Sequence, residues 1–266
     1  MSNDTGGQEM SFWEHLDELR GVLVRIAVVV VTVAIVLFAF MPRLFDSVIL
    51  APCHGDFVLY RLFAAVTENV SFLPQFSTEG FEVSLINIEL ASQFFIHMST
   101  SFWLAVVLSF PIALYFLWTF VAPALYENER RGVRAAFVAG NVMFFLGVAV
   151  GYFVVFPITL RFLADYHVSQ LVPNQISLSS YMDTFLMLLF VMGLVFEMPL
   201  VAWLLGRLGV LHREFFGAYR RHAVVVLLLL AAIITPTGDP FTLTIVFLPI
   251  YLLWELGALL VPKSRE

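Results

Sequence analysis

VVVVTVAIVLFAF, residues 28–40, carries no charge and lies inside a longer apolar run from Val22 to Met41. A helix needs about 20 mostly apolar residues to cross ~30 Å of hydrocarbon, and this run supplies them. Pro42 follows at once, and the reading expects the helix to stop there. The rest of the 266-residue chain has the same character, with 61% hydrophobic and 13% charged residues and a mean hydropathy of +0.92. Soluble domains are roughly 45–50% apolar and about 25% charged. The 14 basic and 20 acidic residues cannot coat a soluble core this apolar, so an ordinary soluble enzyme is excluded. Disorder needs the opposite composition. The chain reads as an all-α polytopic membrane protein forming one integral domain over residues 1–266.

The net charge of −6 excludes a nucleic-acid binder. Cys53 stands alone, which excludes an internal disulfide and any cysteine-built metal site. MSNDTGGQEM at the start has neither the basic region nor the cleavage site of a secretory signal, so the first apolar run is expected to stay as an anchor.

Further spans follow at about Phe94–Ala124 (interrupted by Pro111 and closed by Pro123), Ala135–Leu160 and Tyr181–Leu205. Ala223–Ile234 and Phe241–Val261 form a short final pair separated by TPTGDP. The fifth run is brief, leaving a re-entrant hairpin or a short helix in a thinned bilayer; two true spans are favoured, six in all. Eleven of the 14 basic residues fall on the N-terminal side of this topology, and only Arg43, Arg61 and Arg161 on the other. Both termini are therefore expected in the cytoplasm. Residues 1–21 read as a cytoplasmic amphipathic segment. Residues 42–93, rich in aromatics, read as a long outer (periplasmic) loop folded as a cap at the membrane surface. No internal repeat, inverted symmetry or low-complexity tract is visible.

The chain lacks HExxH, GxSxG and GxxxxGK[ST], and its six histidines are scattered without ligand spacing. Neither an enzyme nor a metal or cofactor site is expected. The informative residues are polar groups in apolar surroundings. Glu197 sits within MGLVFEMPLVAWLL, where an acid costs about 2.5–3.5 kcal/mol on insertion scales and must face protein or water. It reads as a protonatable spot in a cavity reached by a hydrophilic substrate, or else as an interhelical hydrogen bond that fixes packing. Just before the first span, Glu14, Asp17 and Glu18 share one helical face. They form a receptor for a cationic group, or simply a solvated amphipathic face. Glu127 and Glu129 sit beside Arg130, Arg131 and Arg134 in the next cytoplasmic loop. Two acidic patches on one end of a bundle suggest a shared basic ligand. Asp239 in TPTGDP reads as a cap for the last helix, and Gly147-xxx-Gly151 as close helix packing.

HLDELR before the first span, SFPIALYFLWTFVAPALYENERR through the second, YFVVFP, FEMP, and TPTGDPF with LPIYLLWELG at the end resemble TatC. TatC is the multispanning receptor subunit of the twin-arginine protein translocase. The matches run in order from His15 to Gly257. The resemblance implies a curved six-span bundle with a short last pair and both ends in the cytoplasm of a bacterial inner membrane. It implies recognition of twin-arginine signal peptides on folded cargo and recruitment of single-span TatA- and TatB-type partners. It also implies self-association in a complex and export driven by the protonmotive force. On this resemblance Glu18 and Glu129 become the signal-peptide acids, with Arg20, Arg130 and Arg131 nearby. Glu197 matches the family's intramembrane acid, while Pro52, Phe120, Pro123 and Asp239 fall on characteristic positions for structure or partner contact. Two departures stand out. Residues 53–93 look longer than in common members, and Leu243 replaces a frequent glutamine, with Thr242 and Thr244 offering hydroxyls instead. The rival class is a proton-coupled transporter of a small solute using Glu197, and a third is a membrane scaffold.

Overall fold

A computed structural model describes residues 12–68, 80–121, 127–169, 171, 174–207, 209–235 and 238–262. The first helix, α1 (Phe12–Leu44), has 33 residues, about 50 Å at 1.5 Å per residue. That exceeds the ~30 Å hydrocarbon core, so its polar first turns extend past the membrane edge. Contrary to the sequence reading, Pro42 does not end it. The helix reaches Leu44 and continues through a π turn at Phe45–Ile49. A proline deprives the carbonyl four residues earlier of its donor. Here that carbonyl belongs to Phe38, and His97 Nε2 donates to it at 2.8 Å.

After a 3₁₀ turn at Ala51–Cys53 come α2 (Val58–Glu68) and β1 (Leu85–Ile86). The second span, α3 (Ser92–Val121), runs straight through Pro111 rather than breaking there. Beside that proline, Phe110 stacks on Phe144 of the next helix with ring centroids 3.6 Å apart. The third span joins α4 (Glu127–Val150), a π turn at Gly151–Val155 and α5 (Phe156–Asp165). The widened turn sits where Pro157 can neither donate nor tolerate a regular preceding turn.

The fourth span follows β2 (Ile176–Ser177) and splits into α6 (Leu178–Val195) and α7 (Met198–Arg207). The sequence suggested one continuous run. Pro199 removes the donor for the Val195 carbonyl, and the chain turns at Phe196 and Glu197. The last pair, α8 (Arg213–Ile234) and α9 (Pro240–Leu260), contains 22 and 21 residues, each just long enough to cross. α8 starts ten residues before the apolar run, because REFFGAYRRH carries aromatic rings and long stems that cover apolar surface while their polar ends reach water.

Six helical stretches are long and apolar enough to span: Leu16–Cys53, Ser92–Phe120, Phe137–Asp165, Leu178–Arg207, Arg213–Ile234 and Pro240–Leu260. The fourth is 56% buried in its apolar window and the first only 6%, so α6 is the hub and α1 a peripheral helix. α1 packs along α3, α4 along α6, and α9 against both α7 and α8. Tyr181, Met182, Phe185, Leu188 and Met192 of α6 are all nearly inaccessible. The outward faces of the remaining spans stay apolar, as in Val28, Ile35, Leu229 and Leu252, which suits a lipid solvent.

At the end where α1 terminates, tyrosine hydroxyls collect carbonyls that the helix end leaves without donors. Tyr152 donates to Val48 at 2.7 Å, and Tyr181 donates to Ile49. The Tyr60 hydroxyl lies 3.0 Å from the Pro52 carbonyl and 3.1 Å from that of Pro157, so one proton serves two acceptors. Burial pushes the Tyr60 phenol's pKa up, which keeps it a donor. A bridge pairs His54 with Glu82, and β1 pairs in parallel with β2 (Leu85 with Ile176, Ile86 with Ser177). The 42–93 segment is thereby tied to the connection between the third and fourth spans.

Candidate functional site

Glu197 owes its position to Pro199. The proline stops α6, and Glu197 occupies the turn, donating its N–H to Leu194 and accepting from Val201 at 3.0 Å each. Across from it stands Gly140 of α4. A Cβ there would lie 3.2 Å from Glu197 Oε2 and 2.9 Å from Leu200 Cδ2, so a methyl would press on both side-chain ends. The residue is half-buried, and among the described residues its Oε1 is buried with no hydrogen-bond partner. Asn141, the next residue on α4, also has a buried Oδ1 without a partner, although its Nδ2 donates to Phe137 at 2.9 Å. The packing reading of Glu197 requires an interhelical hydrogen bond, and no described side chain supplies one. Leaving such a group unmade costs about 1–3 kcal/mol or more.

Glu18 and Arg20 are exposed on the first turns of α1, as is Asp17. Residues 129–131 belong to the first turns of α4, where acids are favoured by the helix dipole. The side chains of Glu129, Arg130 and Arg131 lie outside the described residues, as do Pro123 and the side chain of His15. Phe120 is half-buried near the end of α3. Pro52 is buried, and its carbonyl is one of those held by Tyr60. Asp239 caps α9 by accepting from the Thr242 N–H at 2.7 Å.

Of the two suggested threonine hydroxyls only that of Thr244 is exposed. Thr242 is fully buried, and the Thr244 hydroxyl donates to the Pro240 carbonyl at 2.7 Å. The sequence reading also passed over Glu255 of α9. It pairs with Arg220 of α8 at 2.6 Å and accepts from Tyr251 at 2.9 Å. The rule that exposed Glu197, an acid within an apolar span, would have found it. Arg207 lies over the Trp203 ring at 4.6 Å, and the Arg213 N–H donates to the Pro262 carbonyl. Among the described residues no three His, Cys, Asp or Glu side chains gather as metal ligands.

The family model for Sec-independent protein translocase protein (TatC) matches residues 14–249. A relative from Blattabacterium sp. subsp. Periplaneta americana, called Sec-independent protein translocase protein TatC, is 32% identical over 252 residues, covering 93% of each chain. The protein of that name from Escherichia coli K12 is 33% identical over 245 residues, covering 91% of this chain and 84% of its own. Among solved structures, the twin arginine translocase receptor TatC superposes with a TM-score of 0.71 at 28% identity, over 93% of this chain and 97% of that one. The same receptor in the detergent DDM gives 0.73 at 27%, over 93% and 99%. Six spans and a family match running from the helix before the membrane into the last span come to one conclusion: this chain belongs to the TatC family.

Proposed function

We propose that the chain is the receptor subunit of a twin-arginine translocase, embedded in the cell inner membrane as one integral domain with both termini cytoplasmic. The α1 extension (the residues up to 21) and the start of α4 form the cytoplasmic receptor, while residues 42–93 cap the outer face. Glu18 and Glu129 grip the paired guanidinium groups of an incoming signal peptide, with Arg20, Arg130 and Arg131 shaping the field around them. Arginine's planar fork takes a carboxylate in two parallel hydrogen bonds, which lysine cannot, so two such pairs discriminate between the two residues. The apolar part of the signal then runs along the bundle toward Glu197. TatA- and TatB-type single-span proteins assemble on the lipid-facing helices, further copies of this chain join the complex, and folded cargo crosses under the protonmotive force.

One observation carries this reading: the likeness to a solved twin arginine translocase receptor over 93% of the chain. The charge asymmetry between the two ends supports the orientation. Span alternation supports a common end for Glu18 and Glu129, since α1 and α4 begin on the same side when every span crosses. The solute-transporter alternative had only Glu197 in its favour, and the family match gives it no support. The decisive experiment exports a folded reporter carrying an RR signal or its KK variant, with and without this chain. Export that requires both the chain and the arginine pair is expected; equal export of both signals overturns the proposal.

A further inference from the structure

Arg161 is the one basic residue of the third span's described side chains, near the end where that span finishes at Asp165. Its guanidinium lies 4.5 Å from the Phe81 ring centroid and 5.4 Å from that of Tyr60. Its Nε is 3.5 Å from Asp165 Oδ2. Held between rings contributed by the 42–93 segment, this cation is fixed at the membrane boundary instead of trailing into water.

Two pockets meet at the Arg161–Asp165 turn. One, about 350 Å³, has walls of Phe63, Ile158, Phe162, Tyr166 and Phe241. The other, about 390 Å³, is lined by Glu82, Ser84, His167 and Asn174. Arg161 and Asp165 line both. An apolar chamber and a polar one sharing a cation and an acid match a molecule with the same division. The shared wall lies at the headgroup level, because the span ends there.

The geometry points to a structural phospholipid site for a zwitterionic lipid with a primary ammonium head, its phosphate on Arg161, its ammonium between Asp165 and Glu82, and its glycerol end among Ile158, Phe162 and Phe241. A guanidinium suits phosphate. Asp165, with 59% of its side chain exposed, is open to a second cation besides Arg161. An anionic lipid without an ammonium would meet that acid unfavourably. The site would join the 42–93 segment to the bilayer beneath it. It rests on the six-span membrane reading and not on signal-peptide recognition.

The test is native mass spectrometry of the full chain, purified in dodecyl maltoside, stripped of lipid and titrated with phosphatidylethanolamine, phosphatidylglycerol or free O-phosphoethanolamine. One phosphatidylethanolamine is expected to stay bound, about tenfold better than phosphatidylglycerol. Arg161→Gln should lose it, and Asp165→Asn should erase the preference between the two lipids. Ile158→Trp, which fills the apolar chamber and leaves Arg161 alone, should expel the lipid and keeps the test decidable if Arg161→Gln does not fold. Equal retention of both lipids by the unaltered chain overturns the headgroup assignment. Displacement by O-phosphoethanolamine at equal concentration overturns the lipid assignment. Undiminished binding in Ile158→Trp overturns the site.

Discussion

His97 and Phe38 meet twice: the imidazole Nε2 donates to the Phe38 carbonyl at 2.8 Å, and the two rings stack with centroids 3.9 Å apart. Since a carbonyl can only accept, Nε2 carries the proton. The acceptor is the group that Pro42 leaves without a helical donor. A residue of the second span thus repairs the first where a proline weakens it.

Replacing His97 with Ala removes both contacts, and a loss of about 1–2 kcal/mol is expected, the upper range for hydrogen bonds inside membranes. Thermal unfolding in detergent reads it. His97→Gln offers an N–H without a ring and should recover part of the loss; no recovery would assign the whole effect to stacking.

Glu129→Ala should abolish arginine-dependent crosslinking of a signal peptide while the protein still inserts at its normal level. Glu18→Ala should do the same, and the double variant should be no worse than either alone if the two acids act on one ligand. Unchanged crosslinking in a single variant removes that residue from the receptor.

With Cys53 replaced by Ala, a cysteine in place of Glu197 should react with a water-soluble maleimide, because the residue at the turn between α6 and α7 is half-buried rather than sealed. Full protection in resting and energised membranes alike would return Glu197 to a packing role.

Gly147 and Gly140 should respond differently to alanine. At Gly147 a Cβ would come 2.4 Å from the Met192 carbonyl oxygen and 2.8 Å from Phe196 Cβ. α4 and α6 must separate there, at an expected cost of about 1–3 kcal/mol. At Gly140 the obstacles are the ends of the Leu200 and Glu197 side chains, which can move. Gly140→Ala should leave thermal stability nearly unchanged yet alter maleimide reactivity at position 197. A large stability loss instead would show that the carboxylate has nowhere else to go.

Tyr60→Phe removes the hydroxyl that bridges the Pro52 and Pro157 carbonyls. Faster proteolysis within residues 42–93 is expected, with export activity lowered less than by Glu129→Ala. Equal protease resistance would mean that aromatic packing alone holds α2.

Much of this could be read from the chain. Glu197 announces itself as an acid in MGLVFEMPLVAWLL, and Asp239 before Pro240 reads as the cap that accepts from Thr242. Gly147 and Gly151 read as close packing, and both face α6. The prolines misled. Pro42 looks like a stop and Pro111 like an interruption, and both are passed through, whereas Pro199 does split its span. A proline fixes only its own backbone and removes one donor; whether the helix survives depends on what else reaches the orphaned carbonyl.

The sequence by itself determined the solvent, the spans and the family, because run length and charge placement are properties of consecutive residues. Only the tertiary structure decided which side chains repair which backbone groups. Tyr181 donates to Ile49 across 132 residues, and Gly140 lies against a carboxylate in the turn of another span. Such pairings depend on helix rotation and crossing, which the bundle sets collectively and no local stretch encodes.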